Sequence, residues 1–385
     1  MKSIVSVVKC RDIHSLQDLD LTLRKALDLI GGLETLICPG DTVIIKPNLI
    51  KPAHYTTGIT TNLLLLKALC VICREKGAGK VIIGEGSAVG YSTQKAFEET
   101  GIKEMATEIK VDLVDFKKAE KVALPIPGGR VLHRLKVPRI LMEANVVINV
   151  PVMKTHDALP ATLGLKNMKG IIEERDKKRF HKWGLAEAIV DLNKLAYPEL
   201  TILDGTVAME GLGPTHGTPV NLGIIIASRD TVAADVVAAE IMGINPDSIE
   251  YVRLAAQDGL GCGDLSRIEV VGEKLEKVKR PFKQVKLNFE EFKSMGIFIE
   301  EDSACSGCRH TMESLISNLK EQNKLDLLKG YHLIFGQTVR IPPKIRGKLV
   351  NIGTCTRNYK HLGYYIPGCP PHPEDIVSFF ETNKK

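Results

Sequence analysis

The sequence predicts an α/β fold in which a largely parallel sheet carries helices on both faces, followed by a small C-terminal α/β domain. Short runs of apolar, β-branched residues alternate with helical patterns through about residue 275. These runs are almost continuously apolar, which is typical of strands covered on both faces. A basic, polar stretch without strong periodicity then follows. We therefore expect domains over 1–275 and 294–385, joined by a linker over 276–293.

Six segments of the first domain have the composition of strands. In chain order they are DTVIIKPNL, KVIIGEGS, DLVDF, NVVINVPVMKTH, LTILDG and NLGIIIAS. Five further segments have helical periodicity, namely LDLTLRKALDLI, TNLLLLKALCVICREKG, TQKAFEETG, GLAEAIVDLNKL and TVAADVVAAEIMG. The last helix follows Ser228 and Asp230, which are suitable N-caps, and stops at Gly243, a C-cap signal.

The composition is that of a globular protein, with 44% hydrophobic and 25% charged residues. The net charge of +6 is spread along the chain, which fits small acidic molecules or an acidic protein partner. Basic and aromatic residues are not interleaved, so nucleic-acid binding is not expected. The N-terminal apolar run is interrupted at Lys9, Arg11 and Asp12, and no stretch has the length of a membrane helix. We expect a cytoplasmic protein without a signal peptide or membrane association.

Polar side chains follow several of the predicted strands. In open parallel sheets, ligands bind beyond the carboxyl ends of the strands. Side chains delivered there by different strands should therefore converge on one cleft that binds a small anionic substrate. The candidate residues at these positions are Lys46, Asn48, Glu85, Ser87, Lys154, His156, Asp204 and Asp235.

The motifs MKTH and LKNMKG bring several lysines and a histidine close together in the sequence. Desolvated lysines attract carboxylate or phosphate groups, and their mutual repulsion lowers their pKa values. We predict that Lys154, His156 and Asp204 carry the chemistry of the cleft, with His156 as a general acid or base. The remaining predicted substrate-binding residues are Lys166, Asn167, Lys169, His181 and Glu210.

Three features of this domain each allow two functional interpretations. The acidic side chains Asp204, Glu210 and Asp235 could hold a divalent metal, but we favour a role in orienting the lysines. The glycines of GEGSAVGYST miss the dinucleotide-binding spacing by one residue, which leaves generic anion binding open. The segment IEERDKKRFHKWG is predicted to be an exposed charged loop, with a mobile lid over an anionic substrate as the alternative.

The chain has nine cysteines. We interpret some of them as metal ligands and the others as free thiols, and not as disulfides, because cytoplasmic thiols stay reduced. Cys305 and Cys308 form a C-x-x-C motif between the predicted strand GIFI and a helix. Cys355 ends the predicted strand KLVNIGTC, and Cys369 lies in a proline-braced loop before another helix. Four thiolates from three segments suit zinc or an iron–sulfur cluster, and the residues alone leave both open. We interpret Cys70 and Cys73 as thiols buried in the apolar core.

The motifs CSGC, GTC and IPGCPPHPEDI resemble the cluster-binding domain of hydrogenase small subunits and the 20-kDa subunit of NADH:quinone oxidoreductases. Those families hold one [4Fe-4S] cluster, so the resemblance implies that Cys305, Cys308, Cys355 and Cys369 are its ligands. The segment between Cys308 and Cys355 is short, and Arg309 stands where hydrogenases often have an acidic residue. Both departures suggest a trimmed domain that does not dock a large catalytic subunit.

Residues 1 to about 275 resemble family 362 of the domains of unknown function. The matching stretches are VIIKPNL, GEGS, PVMKTH, TLGLKNMKG, DGTVAMEGLGPTHG and SRDTVAADVVAAEIMG. Members of this family are often fused to iron–sulfur modules. Because the family has no assigned reaction, the resemblance supplies a map of candidate positions and no mechanism.

These observations together favour an iron–sulfur oxidoreductase. Its cluster would exchange single electrons with a ferredoxin-like donor or acceptor and pass them to or from a small anionic substrate in the cleft. Two alternatives stay open. One is a non-redox isomerase or lyase with a structural cluster, and the other is a cofactor-assembly factor.

Overall fold

The computed structural model describes residues 2–156, 159–284 and 287–383. The chain divides into two compact units, Met1–Gln284 and Val285–Lys385, which we call unit 1 and unit 2. The segment predicted as a linker, 276–293, is structured over its described part. The backbone N–H groups of Arg280 and Phe282 donate to carbonyls of unit 1, and Phe289–Met295 forms a 3₁₀ helix. Residues 285 and 286 of that predicted linker lie outside the described residues.

The strands of unit 1 come from all parts of its sequence. They are β1 (Ser3–Lys9), β2 (Thr42–Pro47), β3 (Lys80–Glu85), β4 (Asp112–Asp115), β5 (Lys121–Pro125), β6 (Arg134–Pro138), β7 (Val146–Val150), β8 (Val152–Thr155), β9 (Ala161–Thr162), β10 (Leu200–Leu212), β11 (His216–Val220), β12 (Ile224–Ser228) and β13 (Ile268–Gly272). The main sheet has the order β13-β1-β12-β10-β7-β2-β3-β4. Neighbouring strands from β10 to β4 are parallel, whereas β12 runs antiparallel to both of its neighbours. The predicted largely parallel sheet is therefore confirmed.

The helices of unit 1 fill the connections between these strands. They are α1 (Leu16–Asp28), α2 (Leu63–Glu75), α3 (Thr93–Glu99), α4 (Ile102–Glu108), α5 (Arg139–Glu143), α6 (Gly164–Asn167), α7 (Glu174–Trp183), α8 (Leu185–Leu195), α9 (Thr231–Ile241), α10 (Glu250–Gln257) and α11 (Leu275–Val278). One apolar core packs α1, α2 and α4 against one face of the sheet, and a second packs α8, α9 and α10 against the other. Helices therefore cover both faces, as predicted. No helix in the described part of the chain is long and apolar enough to cross a membrane.

Two local details differ from the sequence expectations. The predicted strand NVVINVPVMKTH is divided into β7 and β8 at Pro151, because proline lacks the N–H group that a sheet ladder requires. At the start of α9, Asp230 is the N-cap and accepts a hydrogen bond from the Ala233 N–H. Ser228 is not the N-cap: its hydroxyl donates to the Ile4 carbonyl and accepts from the backbone N–H of Asp230.

Unit 2 is a parallel sheet with strands in the sequential order β14 (Phe298–Glu301), β15 (Tyr331–Phe335), β16 (Lys348–Ile352) and β17 (Tyr364–Ile366). Its helices are α12 (Ser306–Glu321) and α13 (Pro373–Thr382). The connection between β15 and β16, residues 336–347, contains no helix. This agrees with the short spacing that the sequence shows between the second and third cysteines of the predicted cluster site.

Candidate functional site

A buried ion pair lies at the carboxyl ends of β2 and β3. The Lys46 Nζ is 2.9 Å from the Glu85 Oε2, and both side chains are almost fully buried. Glu85 also accepts hydrogen bonds from the backbone N–H groups of Leu49 and Gly86. Burial lowers the pKa of Lys46, and the charge of Glu85 opposes that shift. Charged side chains are rarely buried unless they are paired, and here the pair lies where ligands of parallel sheets bind.

A second buried lysine, Lys154, comes from the end of β8. Its Nζ donates hydrogen bonds to the Asn48 Oδ1 and to the Ile59 carbonyl, each 2.5 Å long. Both acceptors are neutral. Burial, followed by repulsion from the nearby Lys166 ammonium, holds the pKa of Lys154 well below its usual range, while the charge of Asp204 raises it. Burial therefore makes the ammonium form of Lys154 less favourable here than in water.

An amide network connects these side chains. The Asn48 Nδ2 donates to the Asn167 Oδ1 over 3.0 Å, and the Asn167 Nδ2 donates to the Asn149 Oδ1 over 2.8 Å. The Asn149 Nδ2 in turn donates to the Gly164 carbonyl. The network fixes the amide that accepts from Lys154. Asn48 and Asn167 were expected in the site, and Asn149 was not, because it lies inside an apolar strand run.

A third buried lysine, Lys177, was missed by the sequence analysis. Its Nζ donates to the carbonyls of Gly86 and Ser87, which follow β3. The Ser87 hydroxyl donates to the Leu49 carbonyl and so joins the same turn. Burial, with further repulsion from neighbouring lysines, lowers the pKa of Lys177 to about 7. The buried amine of Lys177, which comes from a different part of the chain, therefore holds the turn after β3 in place.

The prediction of an exposed loop over IEERDKKRFHKWG is wrong, because residues 174–183 form the helix α7. Asp176, Lys177 and Phe180 are its buried residues. Their spacing of three or four places them on one helix face. Phe180 is the single strongly apolar residue on that face, so the apolar signal is too weak to predict a helix from the sequence.

The segment between β9 and α7 contributes further basic groups. The Lys166 Nζ donates to the Thr162 hydroxyl, and the Lys169 Nζ lies 2.8 Å from the His181 Nε2. The Lys169 Nζ also lies 5.9 Å from the centre of the Phe180 ring. The predicted substrate-binding residues Lys169 and His181 are therefore in contact with each other.

The backbone of this segment passes very close to the buried ion pair at Gly170. A Cβ atom placed there would lie 2.1 Å from the Glu85 Oε1 and 2.6 Å from the Lys46 Nζ. Gly86 is equally tight, since a Cβ there would lie 2.5 Å from the Gly170 carbonyl oxygen. Glycine therefore suits both positions, because Gly86 lies against the Gly170 backbone and Gly170 lies against the side chains of the ion pair.

The three predicted acidic residues have other partners. Asp204 accepts from the backbone N–H of Asn62 and from Thr206, and burial raises its pKa. Asp235 accepts from the two N–H groups at the start of α6, and burial raises its pKa to about 7. Glu210 pairs with Arg280 at 2.9 Å. Asp204 interacts with Lys154 through its charge, whereas the contacts of Asp235 and Glu210 hold backbone and surface elements together.

His156, the predicted acid or base, follows β8. Its Nδ1 accepts a hydrogen bond from the Leu159 N–H at 3.3 Å. The residues between them, 157 and 158, lie outside the described residues. His156 is two residues from Lys154 at the same strand end, as the sequence indicates.

In unit 2, the four predicted cluster cysteines lie beyond the carboxyl ends of β14, β16 and β17. Cys305 and Cys308 begin α12, Cys355 lies in the 3₁₀ turn after β16, and Cys369 follows β17. A Cβ placed at Gly353 would lie 3.5 Å from the Cys308 Sγ and 3.6 Å from the Gly368 carbonyl. The three cysteine-bearing segments therefore meet around Gly353.

The thiols interact electrostatically. A hydrogen bond from the Cys308 thiol, together with N–H groups at the start of α12, lowers the pKa of Cys305 to about 6. The same hydrogen bond raises the pKa of Cys308, and the charges of Cys355 and Cys369 raise it further. Among the described residues, no group of three or more His, Cys, Asp or Glu side chains is arranged as a metal site. The [4Fe-4S] ligand set stays a prediction.

The fold and the site define an α/β protein whose parallel sheet brings buried lysines together at the carboxyl ends of its strands. A family model described as Domain of unknown function (DUF362) matches residues 43–240, which contain these lysines. The Thylakoid-associated protein sll1697 of Synechocystis sp. is 32% identical over 252 residues, which are 62% of this chain and 74% of that protein. The chain belongs to the DUF362 family. The family match does not extend to unit 2.

Two solved structures are similar over part of the chain. The lactate racemase apoprotein from Thermoanaerobacterium thermosaccharolyticum has a TM-score of 0.43 at 15% identity, over 63% of this chain and 58% of that chain. A protein from Thermotoga maritima has a TM-score of 0.38 at 15% identity, over 64% of this chain and 60% of that chain. This chain spans less than two thirds of either structure, and we base no argument on them.

Proposed function

We propose that this protein is an iron–sulfur oxidoreductase that acts on a small anionic substrate. In this proposal unit 2 holds a [4Fe-4S] cluster through Cys305, Cys308, Cys355 and Cys369, and unit 1 binds the substrate near Lys154. A ferredoxin-like protein would donate or accept the electrons. The cytoplasm is the proposed location, because a thiol-ligated site needs reduced cysteines until its cluster is inserted.

The meeting of three cysteine-bearing segments around Gly353 carries this proposal. Thiolates are the preferred ligands of iron–sulfur clusters, and the start of α12 stabilises negative sulfur through its N–H groups. Gly353 has a φ of +88° and no side chain, so space is left beside the Cys308 sulfur. Pro370 and Pro371 follow Cys369 directly and stiffen its loop. These features fit a large, thiolate-ligated group better than a disulfide.

When bound, the cluster would supply a store for a single electron. The residues of this chain would set its properties through the four thiolates, the hydrogen bonds at the start of α12 and the burial of Cys308. The stiff proline loop would limit movement of Cys369 between the two charge states.

The proposed substrate is an anion because three buried lysines, Lys46, Lys154 and Lys177, lie near the ends of neighbouring strands, and two of them donate to uncharged amide or carbonyl oxygens. Lys46 is matched by Glu85, but Lys154 contacts two neutral acceptors and is repelled by Lys166. A carboxylate or phosphate of the substrate would pair with the ammonium form of Lys154 and stabilise it. In this role Lys154 would hold the anion or exchange a proton with it, and Asn48 would keep the amine in place.

The cluster is tested by anaerobic purification followed by iron and sulfide analysis. We expect a brown protein with about four iron atoms per chain, and an absorbance that is bleached by dithionite. Cys369→Ser should remove most of the iron. Cys38→Ser is the matched control, because Cys38 is an exposed free thiol of unit 1 and should leave the iron content unchanged. A colourless protein with stoichiometric zinc would refute the proposal.

The lowered pKa of Lys154 favours a second candidate, a non-redox isomerase or lyase. A buried neutral amine is suited to remove a proton from an acidic substrate. Incubation with small carboxylic and phosphorylated acids in D₂O would test this by mass spectrometry. Deuterium incorporation by a folded Cys369→Ser variant would favour the non-redox reaction, and its absence together with electron-dependent turnover of the parent protein would favour the oxidoreductase.

A further inference from the structure

Two irregular segments, 336–347 and 353–363, connect the strands β15, β16 and β17 of unit 2. Side chains on a strand alternate between the two faces of a sheet. The Tyr331 side chain contacts Phe380 of α13, so Tyr331 projects from the face of the sheet that this helix covers. Ile334 and Leu349 project from the opposite face, where they pack with Val339 and partly buried side chains of the two irregular segments. These segments therefore cover the face of the sheet that α13 does not.

The two segments carry an unbalanced positive charge. Residues 336–373 contain no Asp or Glu. Five cations in the segments are exposed, and none forms an ion pair with any residue that the structure describes. We call them the basic face: Arg340, Lys344, Arg346, Arg357 and Lys360.

One carboxylate lies on the same side of the sheet. Glu300 occupies the same face of its strand as Ile334, and its Oε1 lies 3.2 Å from the His332 Nε2. Among the described residues it forms no ion pair with the basic face, although the Arg346 backbone N–H donates to the Nδ1 of the same histidine. Unpaired cations clustered on one surface produce a positive potential that attracts an acidic partner and accelerates its association.

Exposed apolar side chains lie among these cations. Ile345 stands between Lys344 and Arg346 and is 42% exposed, and Leu362 follows Lys360 and is 50% exposed. Apolar contacts surrounded by a charged rim are typical of protein–protein interfaces. Base stacking at a nucleic-acid site uses exposed aromatic side chains, whereas Tyr359 of these segments packs against the apolar cluster, and Ile345 and Leu362 cannot stack. The surface therefore fits an acidic protein better than a nucleic acid.

The basic face is continuous with the cysteine site. Cys355 is exposed and lies two residues before Arg357 in the same segment. A protein that docks on this face would be placed next to one of the four thiols. We propose that the basic face is the docking site for an acidic electron-carrier protein, an inference that rests on the proposed cluster. In the step itself, one electron moves from the reduced carrier to unit 2, so the carrier is oxidised and no bond forms or breaks.

The test uses the full chain, an acidic ferredoxin as the probe, and the double variant Arg357→Glu/Lys360→Glu. Lys95→Glu/Lys277→Glu is the control, because it makes the same charge change at exposed residues of unit 1. Binding is measured by calorimetry at low and physiological salt, and the reduction rate is followed by absorbance. We expect the basic-face variant to bind about tenfold more weakly at low salt and to be reduced correspondingly more slowly. The control should match the parent protein.

Two results separate this inference from the proposed function. If dithionite bleaches the protein but the basic-face variant binds and is reduced like the parent, the cluster stands and the docking site is wrong. If the protein holds no iron yet the ferredoxin binds and the variant weakens binding, the docking surface stands and the cluster is wrong. Binding of the parent to anionic vesicles or RNA but not to ferredoxin would also overturn the inference.

Discussion

The buried ion pair between Lys46 and Glu85 gives a prediction that can be worked out from the structure. Lys46→Met removes the ammonium and keeps a side chain of similar length. Glu85 then has a buried negative charge without its cation, although it still accepts two backbone N–H bonds. Removing one partner of a buried ion pair costs roughly 3–5 kcal/mol. The remaining N–H bonds reduce this penalty, so we expect a loss of about 3 kcal/mol in the stability of unit 1.

The assay is urea unfolding followed by fluorescence of Trp183, the single tryptophan of the chain. Trp183 ends α7, so its signal reports on unit 1 even if unit 2 unfolds separately. The double variant Lys46→Met/Glu85→Gln removes both charges and should be more stable than the sum of the two single effects by about 1–3 kcal/mol. A loss below about 1 kcal/mol for Lys46→Met, or additive effects of the two changes, would show that the charges are not coupled as the geometry implies.

Three further predictions concern the same site. Lys154→Ala should abolish binding of small anions, measured by calorimetry with oxalate and pyrophosphate, while the iron content stays unchanged; unaltered binding would remove Lys154 from the site. Gly170→Ala should destabilise unit 1 by about 1–3 kcal/mol in the Trp183 assay, because the added Cβ would overlap with Glu85. The folded pKa of Lys177, about 7, is below its ordinary value of 10.5, so the unfolded chain binds more protons between these pH values. Its contribution to stability therefore rises with pH across this window, and Lys177→Met should flatten the rise in melting temperature from pH 7 to pH 9. An unchanged slope would contradict it.

The fold could be predicted because the strands of the parallel sheet are nearly continuous apolar runs. The same apolar runs also allowed many residues of the candidate site to be predicted. Lys46, Glu85 and Lys154 each stand at the end of such a run, and strand ends at one edge of a sheet must meet. Ser87 and Asn48 follow the same logic. The structure brings these residues together as expected.

The residues that were missed owe their position to tertiary contacts. Lys177 lies on a helix that is charged over most of its length, and only its packing on the turn after β3 buries it. Asn149 interrupts an apolar strand by a single residue, so the pattern gives no sign that its amide completes a network. Asp235 is a predicted site residue whose observed contacts are with the backbone. It lies close to a strand end, as a ligand-binding residue would, but its carboxylate caps the backbone of α6.

The lowered pKa values of two buried lysines couple anion binding to protons. Lys154 and Lys177 have lowered pKa values mainly because burial disfavours the ammonium form. An anion that enters the site would favour that form and raise both pKa values, so binding should take up protons from the buffer. By linkage, affinity for the anion should then fall as the pH rises above about 7, where Lys177 loses its proton in the free protein. Calorimetry of pyrophosphate binding in two buffers of different ionisation enthalpy measures the uptake directly. Proton release, or affinity that is constant between pH 7 and pH 9, would mean that the buried lysines do not face the anion.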